Sequence, residues 1–247
     1  MILIDTNNTF RAFSEKCSSG LPLREYFEQA FYNPADQVFV FDGPNALERR
    51  RSIFPGYKVG RQKASDNFYL HLEILRELLS HSRAVTIRMK GWEADDIIAH
   101  IAQDVQGGII IDSTDKDFLS LVSDRVSVPK AEMKGVAACD IPLYKVLVGD
   151  PSDKIPGIPG FGQKSWAGLT QENKRFWKIV LSGGPIQDDL GLKGSHQKWA
   201  EDNIGLLRAY NTIVNFFPVN SEDIVKNMCF GEPNYAAADK RLREIYQ

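Results

Sequence analysis

Short apolar runs that alternate with amphipathic segments are the feature that most constrains the fold of this 247-residue chain. The runs are rich in β-branched and aromatic residues and almost continuously apolar, which is typical of strands covered on both faces. The five predicted strands are Ile2–Ile4, Val38–Phe41, Ala84–Ile87, Ile109–Ile111 and Val126–Val128. Apolar residues in the intervening segments recur at spacings of three and four, which predicts helices. The alternation predicts an α/β fold with a parallel, doubly wound sheet.

Beyond about residue 141 the strand pattern ends, and helical segments separated by glycine-rich turns follow. We therefore predict two domains, an α/β core over residues 1–140 and a helical region over residues 141–247, with a loop at 183–194. A chain that is 43% hydrophobic and 25% charged has the composition of a folded protein rather than a disordered one.

Three observations bear on the compartment. No apolar run reaches the ~18 residues that a membrane span needs. Cys17, Cys139 and Cys229 have no paired spacing, which is typical of free thiols in a reducing compartment. The start MILIDTNN lacks the basic and apolar regions of a secretory signal. We expect a cytoplasmic protein without membrane association.

Acidic residues follow the predicted strands, at the sheet edge where parallel α/β folds bind ligands. Each acid alone could cap a helix or form a turn. Together, carboxylates from five segments at one edge would repel one another unless cations were present. Oxygen ligands without histidine or cysteine favour Mg²⁺ or Mn²⁺ over Zn²⁺. The nine candidate ligands are Asp5, Asp42, Glu93, Asp95, Asp96, Asp115, Asp117, Asp150 and Asp153.

The net charge of −2 conceals an uneven distribution. Setting the nine candidate ligands aside from the 32 acidic residues leaves 23 acids against 30 basic residues. Such an excess of positive charge suits a polyanionic partner.

Five motifs give the chain a resemblance to the 5′-nuclease family, which includes phage 5′–3′ exonucleases, the N-terminal nuclease domain of bacterial DNA polymerase I and flap endonucleases. They are FDG at 41–43, YKVGR at 57–61, GWEADDIIA at 91–99, STDKDF at 113–118 and GDPSDKIPGIPGFGQKS at 149–165. The resemblance implies a PIN-like core with a helical arch and a C-terminal helix–three-turn–helix element. It also implies 5′–3′ exonuclease and flap endonuclease activity on DNA, with two metal ions, in replication or repair.

The resemblance also implies roles for individual residues. The tighter ion would be held mainly by Asp42, Glu93, Asp95, Asp96 and Asp115, with Asp5 in the same ligand set and Asp95 and Asp115 central to catalysis. A second ion would lie nearer Asp117, Asp150 and Asp153. Lys58 and Arg61 would contact the scissile phosphate from the arch, and Tyr57 would stack on a base. The glycine-rich hairpin would grip duplex DNA through Gly157, Gly160, Gly162 and Lys164, of which Lys164 would neutralise a phosphate. The carbonyls of the hairpin would hold K⁺.

Several alternatives stay open from the sequence. The same acids would serve a PIN-like ribonuclease, and the basic segments would serve a non-catalytic DNA-binding module. Arg49, Arg50 and Arg51 have no counterpart in the motifs and are either structural or electrostatic. We expect a compact, monomeric enzyme of phage origin that acts on free, flapped or nicked 5′ ends of DNA; replication-protein partners are not identified.

Overall fold

A computed structural model describes residues 1–62, 64–186 and 190–246. The strands are β1 Ile2–Asp5, β2 Gln37–Phe41, β3 Val85–Arg88, β4 Ile109–Asp112, β5 Val126–Ser127 and β6 Met228–Phe230. The first helices are α1 Thr6–Lys16, α2 Pro22–Tyr32, α3 Glu48–Ile53, α4 Asp66–Leu79, α5 Ala94–Asp104 and α6 Ile141–Val148. They are followed by α7 Gln163–Ala167, α8 Gln171–Leu181, α9 Ser195–Asp202, α10 Ile204–Val214, α11 Ser221–Lys226 and α12 Tyr235–Ile245. Short 3-10 helices span Lys116–Leu121 and Ala138–Asp140.

The six strands form one sheet in the order β5-β4-β1-β2-β3-β6. All five predicted strands are present and pair in parallel, as the sequence pattern predicted. The expectation that no strand follows residue 141 is wrong. β6 pairs antiparallel with β3, with Phe230 opposite Val85. The fold is therefore a mostly parallel α/β sheet with one antiparallel edge.

Helices cover both faces of the sheet. On one face, Ile4, Phe39 and Phe41 pack in a buried cluster with side chains of α1, α2, α4 and α12. Leu3 and Val40 alternate with these residues along their strands, so they point to the opposite face, and they are also buried. There α5 packs against β1 and β2. This double cover explains why the strands read as continuous apolar runs.

The chain divides into two compact units. Unit 1 comprises residues 1–46, 62–132 and 217–247, and unit 2 comprises residues 47–61 and 133–216. These units differ from the predicted ranges 1–140 and 141–247, because β6 and α12 return to the sheet while α3 and the segment after it pack with the later helices. Residues 187–189 of the predicted loop lie outside the described residues, and α9 begins at Ser195 after it.

Unit 2 has its own core. Buried side chains of α6, α7, α8 and α10 contribute to it, and the largest of them are Trp166, Trp177 and Tyr210. Within the described parts of the chain, no helix combines the length and apolar character that a membrane crossing requires.

Candidate functional site

The sheet order places a topological switch point at β1. From β1 the chain proceeds through β2 and β3 on one side, whereas β4 and β5 lie on the other side. Ligand crevices of such sheets lie at the carboxyl ends of the strands beside this point. Asp5 is the last residue of β1, and Ser113 directly follows β4. The Ser113 hydroxyl donates a hydrogen bond to Asp5 Oδ2 at 2.8 Å, so the two strand ends are joined there.

Asp5 lies in a strongly negative environment. Its side chain is buried, and burial together with the charges of Asp42 and Asp115 raises its pKa to about 7, against the lowering effect of hydrogen bonds from Ser113 and Asn8. The carboxylates of Asp5, Asp42 and Asp115 are therefore close enough for their charges to repel.

Asp42 connects the end of β2 to the start of α5. Its Oδ2 accepts a hydrogen bond from Asn7 Nδ2 at 3.0 Å, and its Oδ1 accepts one from the Ala94 amide at 2.9 Å. Since Ala94 is the first residue of α5, Asp42 satisfies one of the unpaired amides at that helix end. The arrangement places the α5 acids beside the ends of β1 and β2.

The three acids at the start of α5 differ in exposure. Glu93 is the N-cap residue and is buried, Asp95 is half-buried, and Asp96 is buried. The Phe217 amide donates a hydrogen bond of 2.8 Å to Asp96 Oδ1. Glu93 and Asp96 share a helix face, as their spacing predicts, and this face is turned inward.

Asp115 and Asp117 form the turn that follows β4. The Asp117 amide donates to Asp115 Oδ1 at 2.9 Å, and Asp115 caps the short 3-10 helix Lys116–Leu121. Both side chains are half-buried. Seven of the nine predicted ligands thus belong to unit 1 and follow β1, β2 and β4 or begin α5.

This donor set fits a hard divalent cation in its chemistry. The groups are carboxylates, with mutual repulsion that a cation would relieve. In the conformation described over residues 1–62, 64–186 and 190–246, however, no three His, Cys, Asp or Glu side chains already form a metal-binding group. The carboxylates of Asp42 and Asp115 also hold the loops together, because each accepts a hydrogen bond from a backbone amide.

Asp150 and Asp153 belong to unit 2, where lysine ammonium groups accompany them. Lys145 Nζ lies 2.6 Å from Asp150 Oδ2 and 3.8 Å from Asp153 Oδ2. Burial raises the pKa of Asp150, but Lys145 and hydrogen bonds from Ser152 outweigh it, so that its pKa is lowered overall. Asp150 is therefore held ionised by the protein's own cation.

Lys58 lies in a turn after α3 and not on a helix, whereas the resemblance places it in the helical arch. Its ammonium lies 3.7 Å from Asp153 Oδ1 and 4.9 Å from the centroid of the Tyr57 ring. The base-stacking role predicted for Tyr57 does not fit its position, because Tyr57 is 3% exposed and packs in the core of unit 2. Arg61 is exposed after this turn, and Lys63 lies outside the described residues.

The glycine-rich hairpin joins α6 to α7. Gly160, Gly162 and Lys164 are exposed on it, as a surface that contacts DNA requires. Gly157 is instead buried with φ +68°, and a β-carbon there would come within 2.6 Å of the Gly149 amide nitrogen. Its predicted DNA contact is thus replaced by a structural role, the close approach of two backbone segments.

Sequence reasoning missed several residues around these sites. Asn7 and Ser113 hold Asp42 and Asp5, and Lys145 neutralises Asp150. The asparagines directly after Asp5 in MILIDTNN were an available signal, since residues that follow the strand end share its edge. Nothing in the sequence indicated the role of Lys145, because its position in the helical pattern of α6 is that of an ordinary helical lysine.

Comparisons with known proteins agree with this geometry. A family model described as the 5′-3′ exonuclease, N-terminal resolvase-like domain, matches residues 1–141. DNA polymerase I of Caldicellulosiruptor bescii is 30% identical over 217 residues, which are 79% of this chain and 25% of the relative. The 5′-3′ exonuclease of Aquifex aeolicus is 37% identical over 147 residues, which are 53% of this chain and 50% of the relative. The chain thus spans a quarter to a half of the length of these relatives.

Two solved structures share the fold. T5 5′-exonuclease with bound divalent zinc has a TM-score of 0.71 and 20% identity, covering 100% of this chain and 98% of that chain. A pseudo-enzyme-product complex of the bacteriophage T5 D15 flap endonuclease with DNA and metal ions has a TM-score of 0.65 and 19% identity, covering 99% and 97%. At this identity, both likenesses concern the fold.

Proposed function

This chain belongs to the 5′-3′ exonuclease family, and we propose that it is a metal-dependent nuclease that hydrolyses DNA phosphodiesters near free, flapped or nicked 5′ ends. The observation that carries the proposal is the placement of seven acidic side chains of unit 1 at the carboxyl-terminal edge of β1, β2 and β4 and at the start of α5. The zinc ions in T5 5′-exonuclease, and the DNA and metal ions in the T5 flap endonuclease complex, support it by analogy.

The side chains of unit 1 would supply a site for Mg²⁺ or Mn²⁺. Bound there, such ions would activate water and polarise the scissile phosphate. Asp42, Asp95 and Asp115 are the principal ligands that we propose, and Asp5 would lose its unfavourable repulsion when a cation binds. The second ion at Asp150 and Asp153, and K⁺ at the hairpin, are further proposals that rest on the family resemblance.

Basic side chains of unit 2 would bind the substrate. Lys58 and Arg61 would contact phosphate near the cut, and Lys164 with the exposed Gly160 and Gly162 would contact duplex backbone. An action in replication or repair, a monomeric state, a cytoplasmic location and a phage origin stay predictions from the sequence.

The test is a side-by-side digestion of a 5′-labelled flap, a nicked circle, a sealed circle, a 3′ flap and an RNA–DNA hybrid, with Mg²⁺ or with EDTA. We expect Mg²⁺-dependent cutting of the 5′ flap and the nicked circle only. Cutting of the sealed circle, or of the 3′ flap from its 3′ end, contradicts the proposal. Preference for the RNA strand identifies a ribonuclease instead.

Two variants and a matched control test the proposed metal ligands. Asp95→Asn and Asp115→Asn should each abolish cutting, whereas flap binding in Ca²⁺ should persist because affinity comes mainly from phosphate contacts. Asp104→Asn is the control, since Asp104 lies on the same helix as Asp95 and is exposed. Near-normal turnover of Asp95→Asn or Asp115→Asn in saturating Mg²⁺ excludes that residue as a ligand.

A further inference from the structure

The backbone at Lys58 adopts a conformation that L-residues rarely take. Its φ is +51°, in the left-handed region, where a side chain is crowded against its own backbone. Surrounding contacts must therefore hold the residue there. One such contact is the Lys58 amide, which donates a hydrogen bond of 3.1 Å to the carbonyl of Asp153.

The carbonyl side of the same turn is held by Arg51. Arg51 Nε donates to the Tyr57 carbonyl at 3.1 Å, and Arg51 Nη2 donates to the Lys58 carbonyl at 3.4 Å. One guanidinium thus contacts two consecutive carbonyls. All of these residues belong to unit 2. Arg51 lies on α3, and its backbone amide donates a hydrogen bond to the Leu47 carbonyl.

The Lys58 side chain also has two neighbours within unit 2. With the backbone held on both sides, the Lys58 ammonium lies over the buried Tyr57 ring and beside Asp153. Arg50 packs beneath the same turn. It donates a hydrogen bond of 2.8 Å to the Ile213 carbonyl, and its guanidinium lies 5.8 Å from the Tyr57 ring centroid.

We propose that Arg51 is a positioning residue that fixes the left-handed turn at Lys58 and thereby delivers the Lys58 ammonium to the scissile phosphate. The inference rests on the proposed function, since the phosphate contact of Lys58 belongs to it. Arginine suits this role better than lysine, because its planar fork contacts two carbonyls at once whereas an ammonium is a single point of charge.

The first experiment does not depend on activity. The Lys58 ammonium lies over the Tyr57 ring, 4.9 Å from its centroid, so the ring current should shift the NMR signal of the neighbouring ε-methylene protons upfield from those of exposed lysines. We expect Arg51→Met to move this signal toward the exposed value while the Lys145 signal stays in place, and Arg51→Lys to give an intermediate position. The matched control is Ser52→Ala, an exposed residue of the same helix, which should leave the signal unchanged.

The second experiment is a double-mutant cycle on single-turnover cleavage of a 5′ flap. Arg51→Met should slow cleavage about tenfold with little change in flap Kd, because the loss is one of positioning. Added to Lys58→Ala, it should slow cleavage no further, because its effect acts through Lys58. Arg51→Lys should restore part of the rate.

The outcomes separate this inference from the function on which it rests. An unchanged Lys58 signal in Arg51→Met overturns the positioning role, whatever the cleavage rate. An equal slowing of the wild type and of Lys58→Ala by Arg51→Met also overturns it, since Arg51 would then act independently. Failure of the wild type to cut any substrate overturns the proposed function, while the NMR signal still decides whether Arg51 positions Lys58. If Arg51→Met fails to fold, Arg51→Lys provides the same two readouts.

Discussion

At the scale of single residues, Gly43 shows how a missing side chain allows the site to form. A β-carbon on Gly43 would lie 1.6 Å from the Met89 carbonyl oxygen and 2.5 Å from its carbon. The Gly43 amide also donates a hydrogen bond of 2.9 Å to the Trp92 carbonyl. The loops after β2 and β3, which carry Asp42 and Glu93, can therefore approach each other only because residue 43 is glycine.

Replacing Gly43 tests this close approach. Gly43→Ala should lower the free energy of unfolding by about 2 kcal/mol or more, because backbone must move to admit the methyl group. The control is Gly205→Ala, since no atom lies within 4 Å of a β-carbon placed on Gly205 of α10. Alanine there should stabilise the helix by up to about 1 kcal/mol. Urea unfolding measures both, and equal effects would contradict the argument.

Lys145 is the main group that stabilises the ionised carboxylate of Asp150. Lys145→Met should destabilise the protein at pH 7 by about 3 kcal/mol, because the largely buried Asp150 carboxylate would lose its nearest ammonium. Urea unfolding in EDTA measures the loss without metal. Adding Asp150→Asn to Lys145→Met should recover part of the stability, and exposed Lys198→Met is the matched control. A loss no larger than that of Lys198→Met would show that the pair contributes little.

Residue types and spacings predicted the acids, but not their neighbours. Asp5 and Asp42 were predictable because the edge of a parallel sheet follows from the strand pattern. The burial of Tyr57, the role of Gly157 and the pairing of Lys145 depend on contacts between segments distant in sequence. A short sequence motif carries no information on such contacts. The tyrosine of YKVGR is therefore equally compatible with a residue that stacks on a base and with a residue of the core.

At the scale of elements, Asp140 joins the start of α6 to α8. The Asp140 carboxylate lies 2.7 Å from Lys178 Nζ and 3.3 Å from Lys174 Nζ. Lys174 Nζ also lies 4.4 Å from the centroid of the Trp166 ring on α7. Asp140 thus links the start of α6 to α8, and Lys174 extends this link to α7.

This cluster predicts a pH dependence. Burial raises the pKa of Asp140, but Lys178 and Lys174 outweigh it, so that its folded pKa lies below the ordinary value of 3.8. A depressed folded pKa stabilises the protein above the unfolded pKa, and this contribution is lost as the pH falls from near 3.8 through the folded pKa. Asp140→Asn should therefore lower stability at pH 7 and flatten its decline below pH 4. Urea unfolding across this range measures the effect, and parallel pH profiles for variant and wild type would contradict it.

Elements with a strong local pattern were predicted well. The predicted helix after Ser65 is present as α4, and Ser65 caps it by accepting a hydrogen bond from the Phe68 amide. β6 was not predicted, because its three residues, MCF, show no alternation of apolar and polar side chains. Its partner β3 is also far away in the sequence. Within the predicted helical region, Asn203 separates α9 from α10.

At the scale of the whole molecule, the segment after residue 216 completes unit 1. It contributes β6 to the sheet edge and α12 to the buried cluster that includes Phe27 and Leu75. The sequence could not predict this return, because composition and periodicity describe neighbours along the chain only. The last predicted strand ends at residue 128, so a division of the chain into two consecutive domains was the simplest interpretation of the sequence.

The return of the chain predicts that α12 stabilises the unit that carries the acidic site. Leu242→Ala should lower the free energy of unfolding by about 2–5 kcal/mol, because Leu242 is fully buried in that cluster. Val225→Ala is the control, since Val225 on α11 is 64% exposed and should change stability by less than about 0.5 kcal/mol.

Leu242 lies far from the acids in sequence and packs among apolar side chains. Its loss should therefore lower the temperature at which cleavage ceases, while the single-turnover rate at 25 °C stays near that of the wild type. Melting curves and cleavage rates across temperature measure both quantities. A reduced rate at 25 °C with an unchanged melting temperature would show that α12 acts on the chemistry rather than on the stability of unit 1.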